Sequence, residues 1–157
     1  MKKVSIYTDG SCSPSTGKGG WAFILRYQDA GHEICVAGNE EGTTNNRMEM
    51  MAVIEGMSQL NEECEVELYA DSKYVLDGMR TWISGWKKNG WKKSDNKDVK
   101  NKDLWLILDR LKRRHRMKYI WIKGHNDHPE NEQVDEMASI AKDELIADIA
   151  QPGRAHD

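Results

Sequence analysis

The chain has 157 residues, of which 38% are hydrophobic and 31% are charged, and its formal net charge is −3. This length suits one domain with a single core, and the lack of a long apolar run excludes a membrane-spanning protein. Cys12, Cys35 and Cys64 have neither zinc-ligand nor disulfide-framework spacing, so we expect free thiols in a reducing cytoplasm.

The first part of the chain predicts three strands and a helix. Apolar and polar residues alternate in three segments, as in strands, and "QDAG" between the second and third indicates a hairpin. The period then changes, and Met50, Val53, Ile54, Met57 and Leu60 form one stripe on a helix that begins at a Thr/Asn cluster. In chain order these elements are "VSIYTDGS", "GGWAFILRY", "HEICVAG" and the helix "TTNNRMEMMAVIEGMSQL".

The second part predicts two more strands with helices between and after them. A short helix ends at a glycine, and a later helix begins at Asn101 and has an apolar stripe from Leu104 to Leu111. The last helix has Pro129 in its first turn. The strands are "CEVELYAD" and "MKYIWIKG", and the first and last of the helices are "SKYVLDGM" and "DHPENEQVDEMASIAKDEL".

The resulting order, βββαβαααβα, predicts an α/β fold with a mixed five-stranded sheet. Hairpins join the first three strands, whereas crossovers make strands four and five parallel to strand one. Connections leave strand one in opposite directions, and ligands gather outside the strand ends at such a switch point. We assign residues 1–145 to a single domain with a basic protrusion at about 81–100, and we expect residues 146–157 to form a frayed C-terminal tail.

Four acidic residues are predicted near this switch point. Asp9 ends strand one, Asp71 ends strand four, Glu49 lies early in the helix between them, and Asp135 lies at the edge of the apolar side of the last helix. Taken singly, each has a structural explanation as a turn, cap or helix-flank residue. Together they would repel one another unless a divalent cation were bound, and carboxylate oxygens favour one or two Mg²⁺ or Mn²⁺ ions.

The charges are strongly segregated along the chain. Residues 80–124 have a balance of +11 and the remainder has a balance of −14. Within the basic part, "GWKKNGWKKSDNKDVKNKDLW" places tryptophans among lysines. This interleaving favours a polyanion-binding surface over a merely solvated helix face and loop.

Four sequence blocks and this basic segment resemble type 1 ribonuclease H in its bacterial form. The resemblance extends from about Lys3 to Leu145, with the blocks in the family's order and spacing. The blocks are "TDGS" at residues 8–11, "TTNNRMEMMA" at 43–52, "ADSKYV" at 70–75 and "KGHNDHPENEQVDEMA" at 123–138.

The resemblance implies a ribonuclease H-like fold with helices on both faces of the sheet. It also implies endonucleolytic hydrolysis of the RNA strand of an RNA–DNA hybrid by a divalent-metal mechanism that leaves 5′-phosphate and 3′-hydroxyl ends. Asp9, Glu49, Asp71 and Asp135 match the family's metal-binding carboxylates. His125 matches a loop histidine that is credited with moving a proton, and its other interpretation is an exposed loop histidine, the role we expect for His128.

Contacts to the hybrid are predicted on two surfaces. Hydroxyl and amide groups near the start of the first helix suit sugar and phosphate contacts, although N-capping explains Asn45 and Asn46 equally well. Ser15 and Lys73 stand where the family often has asparagine and glutamine, and both differences bear on the cleavage preference. The predicted contacts are Ser11, Ser15, Thr43, Asn45, Asn46, Lys73, Trp82, Trp86, Lys87, Lys88, Trp91, Lys92 and Lys93.

Two other functions were weighed against this prediction. A 3′–5′ exonuclease usually opens with two acids separated by one residue, whereas "TDGS" offers one. A non-catalytic nucleic-acid binder would have no reason to keep all four acids and the loop histidine. We therefore expect a monomeric, cytoplasmic enzyme whose partner is an RNA–DNA hybrid duplex.

Overall fold

A five-stranded sheet forms the centre of the computed structural model, which describes residues 1–123 and 128–150, with side chains described as far as residue 144. The strands lie in the order β3-β2-β1-β4-β5. β1 pairs antiparallel with β2 and parallel with β4, so the predicted mixed sheet and switch point are confirmed. The strands are β1 Lys2–Ser13, β2 Lys18–Tyr27, β3 Glu33–Glu40, β4 Cys64–Ala70 and β5 Arg116–Trp121.

β1 is longer than its sequence pattern predicted, because it continues past Asp9 to Ser13. Its parallel pairing with β4 ends at Tyr7 and Tyr69, while its pairing with β2 continues to the end of the strand. Asp9 therefore does not end the strand. It lies where β1 has lost its neighbour on one side, which opens the space beside it.

The helices follow the predicted order, and in the described part of the chain none combines the length and apolar character that a membrane span requires. The last helix is described as far as Ala150, beyond the end at Leu145 that the sequence predicted. The bounds are α1 Asn45–Met57, α2 Lys73–Asp77, a π-helical segment Gly78–Trp82, α3 Ile83–Lys88, α4 Lys102–Arg113 and α5 Pro129–Ala150.

Apolar side chains on the two faces of the sheet form two packed layers. The larger one joins β1, β2 and β4 to α1, α4 and the helices after β4. The smaller one joins Tyr7, Ala22 and Ile24 of the sheet to Val134 and Ala138 of α5. Helices therefore cover both faces of the sheet, as expected, and all three cysteines are free thiols.

Gly78 does not end the helix after β4, contrary to the prediction. Its backbone is helical, and α2 continues through the π-helical segment into α3. A Cβ atom at this position would lie 2.0 Å from the ring of Trp105 on α4. The glycine is therefore needed because an indole packs directly on the helix backbone, and sequence pattern alone cannot separate this role from helix termination.

The starts of α1 and α4 differ in how they are capped. Thr44 caps α1 by accepting a hydrogen bond from the backbone N–H of Arg47. Asn101 stands at the start of α4 but has a left-handed backbone, with φ of 61°, and makes no side-chain cap. Its side chain instead donates to the Tyr74 hydroxyl and accepts from Arg47, so it ties α4 to α2 and α1.

Candidate active site

Three of the four predicted carboxylates lie together at the switch point of the sheet. Asp9 comes from β1, Glu49 from the second turn of α1, and Asp71 from the residue after β4. One oxygen of each can be chosen so that all three lie within 4.8 Å of one another. We call these three residues the carboxylate cluster.

Gly10 makes the approach of α1 to β1 possible. A Cβ atom at this position would lie 2.3 Å from the backbone carbon of Met48 and 2.5 Å from the nitrogen of Glu49. No side chain larger than hydrogen fits there, because the helix backbone lies directly on the strand. The sequence pattern did not predict this role of Gly10, although a glycine beside the first acid was the visible signal for it.

The cluster contains a buried oxygen atom that has no hydrogen-bond partner among the described residues. Asp9 is only 4% exposed, and its Oδ1 accepts a hydrogen bond of 2.9 Å from the backbone N–H of Gly10. Oε2 of Glu49 is buried and has no hydrogen-bond partner among the described residues. Because a buried acceptor without a partner is costly, this oxygen is a candidate ligand atom.

Burial and mutual repulsion shift the acidity of the cluster. Burial, and then the charge of Asp71, raise the pKa of Asp9 to about 8. Burial, and then the charges of Asp9 and Asp71, raise the pKa of Glu49 well above its usual range. The protein therefore disfavours the fully ionised cluster unless positive charge is supplied.

Asp135 lies at the border of the cluster and not within it. It is exposed on α5, on the opposite face of the sheet from α1. Its carboxylate is near enough to Asp9 to help raise the pKa of that residue. The fourth predicted acid thus faces the cluster from a second helix, at the side that is open to solvent.

The residues of the cluster fit a hard divalent cation. All three offer carboxylate oxygens, and no thiol or imidazole belongs to the described group. Mg²⁺ and Mn²⁺ prefer such donors. A cation bound there would reduce the repulsion among the carboxylates, which contributes to the raised pKa values of Asp9 and Glu49. It would also give Oε2 of Glu49 a partner.

Two stacked tyrosines lie on β1 and β4 just before the aspartates of the cluster, and the sequence pattern did not predict this pair. Tyr7 and Tyr69 are register partners with ring centroids 4.5 Å apart, and each precedes a cluster aspartate by two residues. His128 packs on both rings, at 5.6 and 5.8 Å. The prediction of an exposed loop role for His128 is therefore wrong, because its ring rests on the sheet at the start of α5.

Polar groups also lie near the start of α1, about one turn before Glu49, and near the end of β1. Oδ1 of Asn45 accepts a 2.6 Å hydrogen bond from the backbone N–H of Cys12, which ties α1 to β1. The hydroxyls of Ser11 and Thr43 are buried without a partner among the described residues. Ser15 lies exposed in the turn after β1, and Asn46 is half-buried in the first turn of α1.

The tryptophans of the protrusion form a connected aromatic scaffold. Trp86 contacts Trp82 and Trp91, with ring centroids 5.9 and 6.2 Å away, and it packs on Trp105 of α4 at 5.3 Å. Trp82 is 38% exposed, whereas Trp86 and Trp91 are partly buried against the core. Trp86 thus packs against the core and joins the protrusion to α4.

The lysines of the protrusion are less free than their sequence suggests. Nζ of Lys87 lies 3.3 Å from the buried carboxylate of Asp109, while Lys92 and Lys93 pair with nearby surface aspartates. Lys88 is exposed at the end of α3. The predicted proton carrier, His125, lies outside the described residues.

The chain is similar to known enzymes over most of its length. The family model RNase H matches residues 1–143. A ribonuclease H of Rhizobium johnstonii is 54% identical over 138 residues, which cover 88% of this chain and 90% of that protein. A ribonuclease H of Novosphingobium aromaticivorans is 54% identical over 141 residues, which cover 90% and 97%.

A solved structure agrees with these sequence matches. The crystal structure of LC9-RNase H1, described as a type 1 RNase H with the type 2 active-site motif, has a TM-score of 0.80 and 29% sequence identity to this chain. The matched region covers 92% of this chain and 74% of that chain. The sequence blocks, the mixed sheet and these similarities lead to one conclusion: the chain belongs to the ribonuclease H family.

Proposed function

We propose that the enzyme hydrolyses the RNA strand of RNA–DNA hybrids internally, and that its products carry 5′-phosphate and 3′-hydroxyl ends. The observation that carries this proposal is the carboxylate cluster, in which three acids from separate elements converge within 4.8 Å. Family membership over residues 1–143 supports the same reaction. Both parts of the proposal can be tested with defined duplexes.

Asp9, Glu49 and Asp71, with Asp135 at the border, would hold one or two divalent cations, with Mg²⁺ favoured and Mn²⁺ as the alternative. When bound, such ions supply an activated water and stabilise the leaving oxygen of an in-line phosphodiester displacement. The residues contribute by position: the Gly10 N–H fixes the Asp9 carboxylate, and burial limits competing water around Glu49. We assign the proton transfer to His125 from its sequence context alone.

Recognition of the hybrid would use two separate surfaces of a single domain. The hydroxyl of Thr43 and the amides of Asn45 and Asn46 near the start of α1 are suited to the 2′-hydroxyls that distinguish RNA from DNA. The lysines and the exposed ring of Trp82 on the protrusion are suited to the phosphates and sugars of the DNA strand. This division explains how one enzyme could bind both strands yet cut only one.

The test is an incubation with labelled RNA–DNA hybrid, double-stranded RNA and double-stranded DNA, each with Mg²⁺ or with EDTA. We expect internal cleavage of RNA in the hybrid alone, and only with the metal. End analysis should show 5′-phosphates. Cleavage of duplex DNA, or undiminished cleavage in EDTA, would contradict the proposal.

A further inference from the structure

A solvent-exposed tryptophan, to which the proposed reaction assigns no role, lies near the carboxylate cluster. Trp121, at the end of β5, is 45% exposed. Its register partner on β4 is Ala70, the residue before Asp71. The ring of Trp121 therefore lies at the surface close to the turn that carries Asp71.

Two hydrogen bonds join Trp121 and the residue after it to the end of β4 and to Asp71. The indole Nε1 donates to the backbone carbonyl of Asp71 at 3.2 Å. The next residue, Ile122, donates its backbone N–H to the carbonyl of Ala70 at 2.9 Å. The ring is therefore held in one orientation relative to the cluster and is not a loose surface side chain.

The ring in turn holds a lysine. Nζ of Lys73, the first residue of α2, lies 4.1 Å from the centroid of the Trp121 ring. This distance is well within the range of a cation–π contact. An ammonium group is thus placed two residues after Asp71 and steered by a side chain from another strand.

A lysine that is already paired with a carboxylate attracts a further anion less strongly than a lysine that lies on a neutral ring. Lys87, Lys92 and Lys93 each lie within salt-bridge distance of an aspartate, which cancels much of their positive field. A neutral ring orders the Lys73 ammonium without cancelling its charge. The ring therefore presents an ordered cation to an incoming anion.

The surroundings leave room for part of a nucleic-acid backbone. A groove of about 210 Å³ runs from Lys73 and Trp121 to Tyr119 and Arg80. Arg80 is itself paired with Asp77 at 3.1 Å, so the Lys73 end is the more attractive one for an anion.

We infer that Lys73 and Trp121 form a phosphate-binding subsite beside the carboxylate cluster, which takes a backbone phosphate of the hybrid that neighbours the cleaved linkage. This inference rests on the proposed function, because it assumes that a hybrid lies across the cluster. Lysine provides donors and a point charge but no acceptor, so the subsite recognises phosphate and not base sequence. Trp121 is a positioning residue that acts through Lys73.

The test measures hybrid binding by fluorescence anisotropy over a series of KCl concentrations with Mg²⁺ present. All variants carry Asp9→Asn, so that the substrate stays intact. Each neutralised phosphate contributes about 0.9 to the slope of log affinity against log salt concentration. Lys73→Met should therefore reduce the slope by about 0.9 and weaken binding roughly threefold to tenfold.

Trp121→Leu should reduce the slope by a similar amount although no charge is removed, and the double variant should lose no more than Lys73→Met. Trp121→Phe and Lys73→Arg retain a ring and a cation, so their slopes should stay near that of the parent. Lys118→Met is the matched control, since it removes an exposed lysine of β5 that faces Glu67 and should leave the slope unchanged.

An unchanged slope in Lys73→Met would overturn the subsite, and an unchanged slope in Trp121→Leu would overturn the role of the ring. Equal losses in Trp121→Phe and Trp121→Leu would also overturn it. Cleavage by the protein without Asp9→Asn, assayed in the same buffer, reports separately on the proposed function. Failure of the subsite and failure of the reaction therefore remain distinguishable.

Discussion

The carboxylate cluster and the basic protrusion handle charge in opposite ways. In the cluster, like charges are brought together and buried, and the pKa of Asp9 rises to about 8 as a result. In the protrusion, lysines are spread over the surface, and Lys87, Lys92 and Lys93 each lie within salt-bridge distance of an aspartate. The first arrangement stores unfavourable energy, whereas the second avoids it.

This difference matches the two tasks that we propose for them. A metal site benefits from repulsion that only a cation relieves, because that repulsion favours the bound state. A surface that holds a long polyanion benefits from many weak and exchangeable contacts on a rigid support. Here the support is the aromatic scaffold around Trp86, which is anchored on Trp105 of α4.

The largest expected effect is the loss of cleavage in Asp9→Asn. Removing one charged ligand from the cluster should lower kcat by at least roughly 10²-fold. The matched control is Asp95→Asn, which removes the same charge from the protrusion, where Asp95 pairs with Lys93 at 3.7 Å. Steady-state cleavage of a hybrid measures both, and similar losses in the two variants would erase the contrast between the regions.

The stability of the metal-free protein should fall as the pH rises. The pKa of Asp9 is raised from 3.8 to about 8, so the folded state retains a proton that the unfolded state has released across this window. Mg²⁺ should therefore raise the Tm more at pH 8 than at about pH 5, by about 5 °C at the higher pH. Calorimetry with Mg²⁺ or EDTA measures this, and Asp9→Asn should flatten the pH dependence. A Tm that changes with neither pH nor Mg²⁺ would contradict the claim that charge repulsion in the cluster destabilises the metal-free protein.

Gly78→Ala tests the attachment of the protrusion to the core. Alanine normally stabilises a helix interior by up to about 1 kcal/mol, but here its Cβ would meet the Trp105 ring at 2.0 Å. We expect a loss of about 1–3 kcal/mol, measured by urea denaturation. Gly85→Ala is the control, since its Cβ meets nothing within 4 Å and should stabilise α3. Destabilisation by both variants would mean that the loss in Gly78→Ala comes from helix geometry and not from the packing of the Trp105 ring.

The smallest expected effects concern Lys87 and Lys88, whose single replacements should differ in their effect on stability. Replacing both with alanine should raise KM and flatten its salt dependence with little change in kcat. Lys87→Ala alone should also cost about 1 kcal/mol of stability, because it removes one partner of the buried Asp109 carboxylate. Lys88→Ala should leave the free energy of unfolding unchanged. An unchanged KM at low salt in the double variant would exclude the protrusion from binding.

Local pattern was enough to predict most of the fold. Alternation in β1 and the apolar stripe of α1 each reflect a single element packed on one face, which neighbouring residues encode directly. The mixed topology followed because connection lengths restrict how strands pair. Local pattern was not enough at Gly78, because the ring of Trp105 on another helix requires the glycine there.

The candidate site likewise has features that the sequence predicts and features that depend on the tertiary structure. The sequence by itself determined which acids are candidates for the site and which segment is basic, since residue identity and order are enough for that. Only the tertiary structure decided that Glu49 reaches Asp9 across Gly10, that His128 rests on two tyrosines, and that Lys73 lies on Trp121. These contacts join residues far apart in the chain, and their energies depend on distances that no local pattern contains.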